Sequence, residues 1–336
     1  MSDDLELKYD RIVRLLLKGK VVPVLGAGAN LSERPPGVSW ERGRYLPSGR
    51  ELAAELARYA KLALHGDNVK LDSDDLARVS QYVATLEGEG SLYDELHEIF
   101  DAAYQPTGLH RLLVELSRRT REAGEVRECM LIVTTNYDDS LESAFEEKHE
   151  PYDLVTYIAG GRDRGLFRHR TVDSYIDGKP VSGEPTVIEV PNKYHDLRLD
   201  QRAVIVKIHG AVDRVRGEDS FVITEDHYID YLARADVASL FPVMLAAKLR
   251  KSHFLFLGYS LRDWNVRAML YRLREEQDGK TYQAWAIQPD PDPIDRPAWS
   301  QRGVDSLRVR VEDFVAAAEQ RLAADGDGDG DERLSA

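Results

Sequence analysis

Val21-Val-Pro-Val-Leu25-Gly26-Ala27-Gly28-Ala29-Asn30 is the stretch on which the fold turns. An apolar run of strand length leads straight into a glycine turn, as in a strand buried on both faces whose end meets a ligand. Glycines there let the backbone approach a pyrophosphate closely, and the free N–H groups of the turn can bind it. The dinucleotide fingerprint G-x-G-x-x-G lacks its third glycine, because position 31 is Leu, and a tight turn with no ligand explains many Gly-x-Gly pairs. Leu31 to Pro47, with Pro35-Pro36-Gly37, does not continue as a helix and reads as either a flap over a ligand or an ordinary loop.

Outward from this turn, the same short apolar character recurs at Leu131–Val133, Val204–Ile208, Phe254–Leu257 and Ala284–Ile287. Between these runs the apolar residues take helix spacing, as in Leu52, Leu56, Tyr59 and Ala63, in Leu109, Leu112, Leu113 and Leu116, and in Val266, Met269, Leu270 and Leu273. Ser48-Gly-Arg-Glu51 reads as a capping box that starts the first of these helices. Strands alternating with helices predict an α/β fold, a Rossmann-like doubly wound parallel sheet with helices on both faces. A single domain over 1–324 is expected, with two interruptions. Residues about 64–104 read as a helical insertion, with Leu76, Val79 and Val83 on one face and Leu92, Leu96, Ile99 and Phe100 on another. Residues about 160–200, with Arg162, Arg164, Arg168, Arg170 and three prolines, read as an irregular excursion on the ligand side of the sheet. The Gly-Asp repeat within 325–336 reads as an acidic disordered tail.

Composition narrows the ligand class. With 43% apolar and 31% charged residues, general disorder is excluded. The longest apolar runs fall far below the ~18 residues that span a bilayer. The acidic N-terminus shows no apolar signal region, so a cytoplasmic protein is expected. Cys129 is the only cysteine, which excludes an intrachain disulfide and a cysteine-rich zinc module. A net charge of −14 repels phosphate backbones, so direct nucleic-acid binding is not expected and any nucleic acid would be sensed by a partner. Small molecules and proteins remain as ligands.

Three further strands end in polar residues: Thr134-Thr135-Asn136-Tyr137-Asp138, Lys207-Ile208-His209-Gly210 and Gly258-Tyr259-Ser260-Leu261. In an open parallel sheet the carboxyl ends of the strands form the ligand crevice. That would bring Asn136, Asp138, His209 and Ser260 near the glycine turn. Each has a plainer alternative: Asn136, Asp138 and Ser260 as helix caps, His209 as a buried histidine bonded to backbone. Their joint placement beyond apolar runs favours a site.

With these residues in hand, the chain resembles the sirtuin family. Gly26-Ala-Gly28, Pro106 with His110, Thr135-Asn136-Tyr137-Asp138, His209-Gly210 and Gly258-Tyr-Ser260-Leu occur in family order, from about residue 20 to the strand near 287. It looks most like the zinc-free, NAD-hydrolysing effector domains of bacterial antiphage defence, which carry phrases such as Leu46-Pro-Ser-Gly49, Ile223-Thr-Glu-Asp-His-Tyr228 and Leu257-Gly-Tyr-Ser-Leu-Arg-Asp263. Deacylating sirtuins differ by a four-cysteine zinc module, by Gln where Thr135 stands and by Ser where Asn30 stands.

The resemblance implies NAD⁺ as substrate and no metal. It assigns Gly26, Ala27 and Gly28 to the pyrophosphate and adds Asn30 and Thr135 to the NAD-binding residues. Asn136 would position water beside the anomeric carbon, Asp138 would hold the nicotinamide carboxamide, and His209 would act as general base on the ribose hydroxyls. Gly258 and Ser260 would contact the adenosine half, with His110 structural. Nicotinamide in NAD⁺ is already a cationic leaving group, so no general acid is needed, and the transition state is oxocarbenium-like. A neutral imidazole and an Asn carboxamide suffice for hydrolysis. Two alternatives stay open: a deacylase or ADP-ribosyltransferase, which needs an acceptor, and a nucleotide-sensing module without turnover. An unregulated NADase would poison its cell, so control by assembly is expected, in a homo-oligomer or with a separately encoded activator such as a HerA-type ATPase or a short Argonaute.

Overall fold

The computed structural model describes residues 3–64, 74–123, 128–234, 241–259, 282–291, 293 and 295–332. In chain order its elements are α1 (Asp3–Leu17), β1 (Val21–Leu25), α2 (Gly49–Leu64), α3 (Leu76–Glu87), α4 (Glu89–Phe100), α5 (Gly108–Glu122), β2 (Leu131–Thr134), α6 (Ser140–Glu147), β3 (Tyr152–Tyr157), β4 (Phe167–Ile176), β5 (Lys179–Ser182), β6 (Thr186–Ile188), β7 (Ala203–Lys207), β8 (Gly210–Ala211), β9 (Ser220–Phe221), α7 (Glu225–Arg234), α8 (Val243–Arg250), β10 (His253–Leu257), β11 (Ala284–Ile287), α9 (Asp295–Gln301), β12 (Val304–Leu307) and α10 (Val311–Glu332). No helix among the described residues is long and apolar enough to cross a membrane.

The main sheet runs β12-β11-β10-β1-β2-β7-β3-β4-β5, with β6 beside β4. The strands from β12 to β3 are parallel throughout. Apolar side chains leave both faces and meet helices on each. On one face Val22, Val24, Val206 and Phe256 pack with Tyr231, Leu245 and Trp299 of α7, α8 and α9. On the other, Leu25, Ile132, Ile205 and Leu257 pack with Ile12, Leu113, Phe145 and Phe314 of α1, α5, α6 and α10. The fold is therefore an α/β, Rossmann-like doubly wound sheet. From β1 the chain winds to one side through β2 and later returns to the other side at β10, so strand order reverses at β1. The carboxyl ends of β1 and β10 are the switch point where such folds bind ligands.

Local chemistry sets the helix starts. The Ser48 hydroxyl accepts the Glu51 amide at 3.3 Å while the Glu51 carboxylate accepts the Ser48 amide at 2.8 Å, the capping box read from the sequence. Helices α3 and α4 occupy the stretch expected to be a helical insertion. With α2 they bury Leu56, Val79, Val83, Leu92, Leu96 and Ile99 in a third apolar cluster that also takes in Tyr137 and Phe221. The helical stripe at Val266–Leu273 lies outside the described residues.

Two expectations are corrected. The 160–200 stretch is not irregular: β4 pairs antiparallel with β3, β5 and β6, giving the parallel sheet an antiparallel edge. The turn between β4 and β5 is Asp177-Gly178, both at positive φ (51° and 73°), the conformation that a two-residue hairpin demands. The basic residues there are taken up locally, Arg168 by Glu218 at 2.9 Å and Arg164 by Asp230 at 3.0 Å. The acidic stretch expected to be a disordered tail instead continues α10 as far as Glu332. A helix already nucleated by packed first turns extends at one bond per residue fixed, which a Gly-Asp repeat weakens but does not forbid.

Candidate functional site

Two strand ends, those of β10 and β2, flank the glycine turn. The Gly26 amide donates to Leu257 O at 3.1 Å and the Gly28 amide to Gly258 O at 2.9 Å, which locks the turn to the end of β10. On the other side the Thr135 amide donates to Leu25 O at 3.1 Å. The Asn136 carboxamide donates to Gly26 O at 3.1 Å, and its own amide donates to Thr134 Oγ1 at 3.0 Å. Residues Ala27–Ala29 form a single 3₁₀ turn, so the chain leaves the site without entering a long helix.

A cleft of about 1780 Å³ opens over this turn. Gly26, Ala27, Gly28, Thr135 and Gly258 form its floor, Gln288 and Glu312 stand toward β11 and α10, and Gln81 and Asp226 stand toward α3 and α7. The volume accommodates a dinucleotide.

The remaining sequence-predicted residues lie deeper. Asp138 is buried: its Oδ1 accepts the Ser140 amide at 3.0 Å and its Oδ2 accepts the Asn30 carboxamide at 2.6 Å. The first bond braces the start of helix α6, whose N-cap residue is Asp139, and the second orients Asn30. The Asn30 Oδ1 is buried with no hydrogen-bond partner among the described residues. His209 is 2% exposed. Its ring stands edge-on to Tyr228 at 5.6 Å and to Tyr231 at 6.0 Å. Tyr228 is on the cleft wall, so its ring stands next to the imidazole on that side. Ser260 lies outside the described residues.

Two residues not singled out from the sequence belong to this arrangement. One is Tyr228. The other is Lys207, the last residue of β7 and 1% exposed. Its ammonium donates to the main-chain oxygen of Asp138 and pairs with Glu142 at 2.7 Å. A charge closing an otherwise apolar strand was the available signal. Nearby, burial and then the Glu142 charge push the Asp139 carboxyl up to about 6, against its pairing with Arg214 at 2.9 Å.

His110 has the structural place expected for it. Its Nδ1 accepts the Thr107 amide at 3.1 Å and completes the cap of α5. Burial, opposed by the Asp138 charge, pushes its imidazole down to about 4. In the unfolded chain it would titrate near 6.5. Between those values the unfolded chain binds a proton that the folded chain refuses, so stability present above pH 6.5 is lost as pH falls toward 4. The full loss is on the order of 3 kcal/mol. Urea midpoints measured at pH 7.5, 6 and 5 should fall more steeply for the parent than for His110→Asn; parallel curves would contradict the assignment.

A parallel sheet with a glycine turn at its switch point, a cleft above it and polar residues at four strand ends defines a Rossmann-like α/β domain with a built ligand crevice. The SIR2-like domain family matches residues 130–307, more than half of the chain, and the chain belongs to that family. The match begins after the glycine turn, whose place in the site rests on its bonds to β10 and to Asn136. A curated relative, NAD(+) hydrolase ThsA of Acinetobacter baumannii (strain 532279), is 25% identical over 269 residues, 80% of this chain. Those residues are 42% of the relative, so the chain spans about two fifths of that protein's length.

Proposed function

We propose that the chain hydrolyses NAD⁺ at the nicotinamide–ribose bond. The C1′–N bond breaks with its electron pair passing to the pyridinium nitrogen, water adds to C1′, and nicotinamide, ADP-ribose and one proton are released. The observation that carries this is the bond from the Asn136 carboxamide to Gly26 O. In this reading it joins the turn assigned to the pyrophosphate to the amide assigned to position water, one residue beyond Thr135 on the floor of a cleft of dinucleotide size. The SIR2-like family and the likeness to a protein named as an NAD(+) hydrolase support it.

In this reading the glycine turn Gly26–Gly28 and the Thr135 loop hold the pyrophosphate and ribose, and Gly258 and Ser260 are assigned to the adenosine half. Asp138 takes the nicotinamide carboxamide. The Asn30 Nδ2–Asp138 Oδ2 bond is chemically that same contact, an amide N–H on a carboxylate. A ligand carboxamide would replace Asn30 there. His209 accepts a proton from a ribose hydroxyl once the Tyr228 ring yields. No step calls for a metal. The biological role proposed is depletion of NAD⁺ in antiphage defence, in the cytoplasm, with activity released by homo-oligomerisation or by a separately encoded activator of the HerA-ATPase or short-Argonaute kind.

The test is to incubate the purified chain with NAD⁺, alone and with the products of neighbouring genes, and identify products by mass. Equal amounts of nicotinamide and ADP-ribose without any protein acceptor are expected. Turnover that requires an acylated peptide would replace hydrolysis with deacylation, and binding without turnover under every condition would leave a sensing module.

A further inference from the structure

Lys207 is a fully buried cation that the hydrolytic chemistry does not use. It ends β7 two residues before His209. Its ammonium bonds the Asp138 carbonyl in the β2–α6 connection and the Glu142 carboxylate on α6. Asp138 in turn holds the Asn30 side chain at 2.6 Å, at the far end of the glycine turn. A strand end, a loop and a turn are therefore tied in series through Asp138, by the Lys207 ammonium on one side and the Asn30 carboxamide on the other.

Stability alone does not account for such a pair. Taking a carboxylate and an ammonium out of water costs several kcal/mol per ion, and their attraction recovers this only when every remaining lone pair is satisfied. Here Glu142 Oε2 and Asn30 Oδ1 are both buried without a hydrogen-bond partner among the described residues. Apolar residues of similar volume would fill the space at no net loss. What they would not supply is a directional bond to the Asp138 carbonyl, a side-chain tie between the loop bearing Asn136 and the loop bearing His209 that adds to the main-chain bonds Ile208 N–Thr134 O and Val212 N–Tyr137 O, both 3.0 Å.

We propose that Lys207, with Glu142, is a positioning residue that holds the Asn136 loop, the His209 loop and the Asn30 end of the glycine turn in mutual register. The proposal rests on the hydrolase reading for its kinetic consequence, but its structural content is independent of it. A positional error of about 1 Å in a reacting group costs on the order of a hundredfold in rate while ground-state binding survives. The predicted signature is therefore a loss in kcat with little change in KM.

Lys207→Met alone strands the Glu142 charge in the interior and is a poor probe. The informative protein is the full chain carrying Lys207→Met together with Glu142→Leu. It is compared with the parent for thermal midpoint, NAD⁺ kinetics under the condition where the parent turns over, and amide hydrogen exchange of peptides spanning 134–142. Expected are a midpoint within a few degrees of the parent, kcat lowered tenfold or more, KM within threefold, and faster exchange in that loop. Parental kcat or parental exchange in the folded double variant overturns the proposal, as does equal damage to KM and kcat. Should the parent itself never cleave NAD⁺, the hydrolase reading fails by that result, and loop exchange alone decides the role of Lys207.

Discussion

His209→Ala should lower kcat for NAD⁺ cleavage by about 10²–10⁴-fold, the range associated with removing a general base. The chain should remain folded. The imidazole lies between the rings of Tyr228 and Tyr231, so the substitution leaves a small cavity among aromatic groups that can partly close it. Its backbone role survives: the His209 carbonyl still accepts the Val222 amide at 2.8 Å, keeping β8 and β9 in place. NAD⁺ affinity should change only a few-fold, because the pyrophosphate contacts assigned to Gly26–Gly28 are untouched. Asn136→Ala should lose rate comparably, with a larger loss in affinity, since it also breaks the bond to Gly26 O. Single-turnover kinetics with calorimetric NAD⁺ titration separates the two. If both variants retain the parental rate, neither residue carries the chemistry.

The centre of the fold was legible in the sequence because buried parallel strands leave an unmistakable trace. β1, β2, β7, β10 and β11 are short apolar runs closed on both faces, and periodicity alone locates them. β3 is not legible for a definite reason: Tyr152-Asp-Leu-Val-Thr-Tyr157 carries a wholly buried carboxylate at its second position. Burial pushes the Asp153 carboxyl up, but the bond to His169, the Arg198 amide and the Arg202 guanidinium outweigh that and hold it below its ordinary range. Those partners come from β4 and from the connection after β6, which no local pattern reveals. β12 escaped as well, because an edge strand such as Val304-Asp-Ser-Leu307 buries only its ends. The Asp177-Gly178 hairpin signal was present in the sequence and was overshadowed by the arginines and prolines around it.

The site divides in the same way. Gly26, Thr135, Asn136 and Gly258 could be placed from topology, since strand ends in a parallel sheet converge whatever the side chains do. The depth of Asp138 and His209 could not, because it depends on what packs above them. Tyr228 sits on α7, and which helix face leans over a strand end is set by tertiary packing with the α3–α4 insertion. That contact shows in the Gln81–Asp226 bond at 2.9 Å between α3 and α7. Lys207 closes an apolar strand in the sequence, and only the fold shows that its ammonium turns inward.

A large structural effect of a single methyl is expected at Gly258→Ala, on the floor of the cleft. Gly258 adopts φ +62°, where a side chain costs about 1–2 kcal/mol by itself. A Cβ there would stand 2.1 Å from the Ala29 nitrogen and 2.3 Å from the Gly28 carbonyl carbon. Both are backbone atoms of the glycine turn, so no side chain can swing aside to make room. Facing it, a Cβ on Gly28 would meet Gly258 O at 2.7 Å, so the close approach is mutual. Relief therefore requires the turn and the end of β10 to separate, which breaks the 2.9 Å bond from the Gly28 amide to Gly258 O and opens the cleft floor. A destabilisation of about 4 kcal/mol or more is expected, in the range reserved for strained backbone and broken packing together. Gly90→Ala is the matched control: it lies in helix α4 with nothing within 4 Å of its added methyl, and should be neutral or stabilising by up to about 1 kcal/mol. Urea midpoints of the three proteins, with calorimetric titration of ADP-ribose into each, measure both consequences. A parental midpoint with parental ADP-ribose affinity for Gly258→Ala would mean that the turn and β10 are not in contact in solution, and the crevice built on that contact would fall with it.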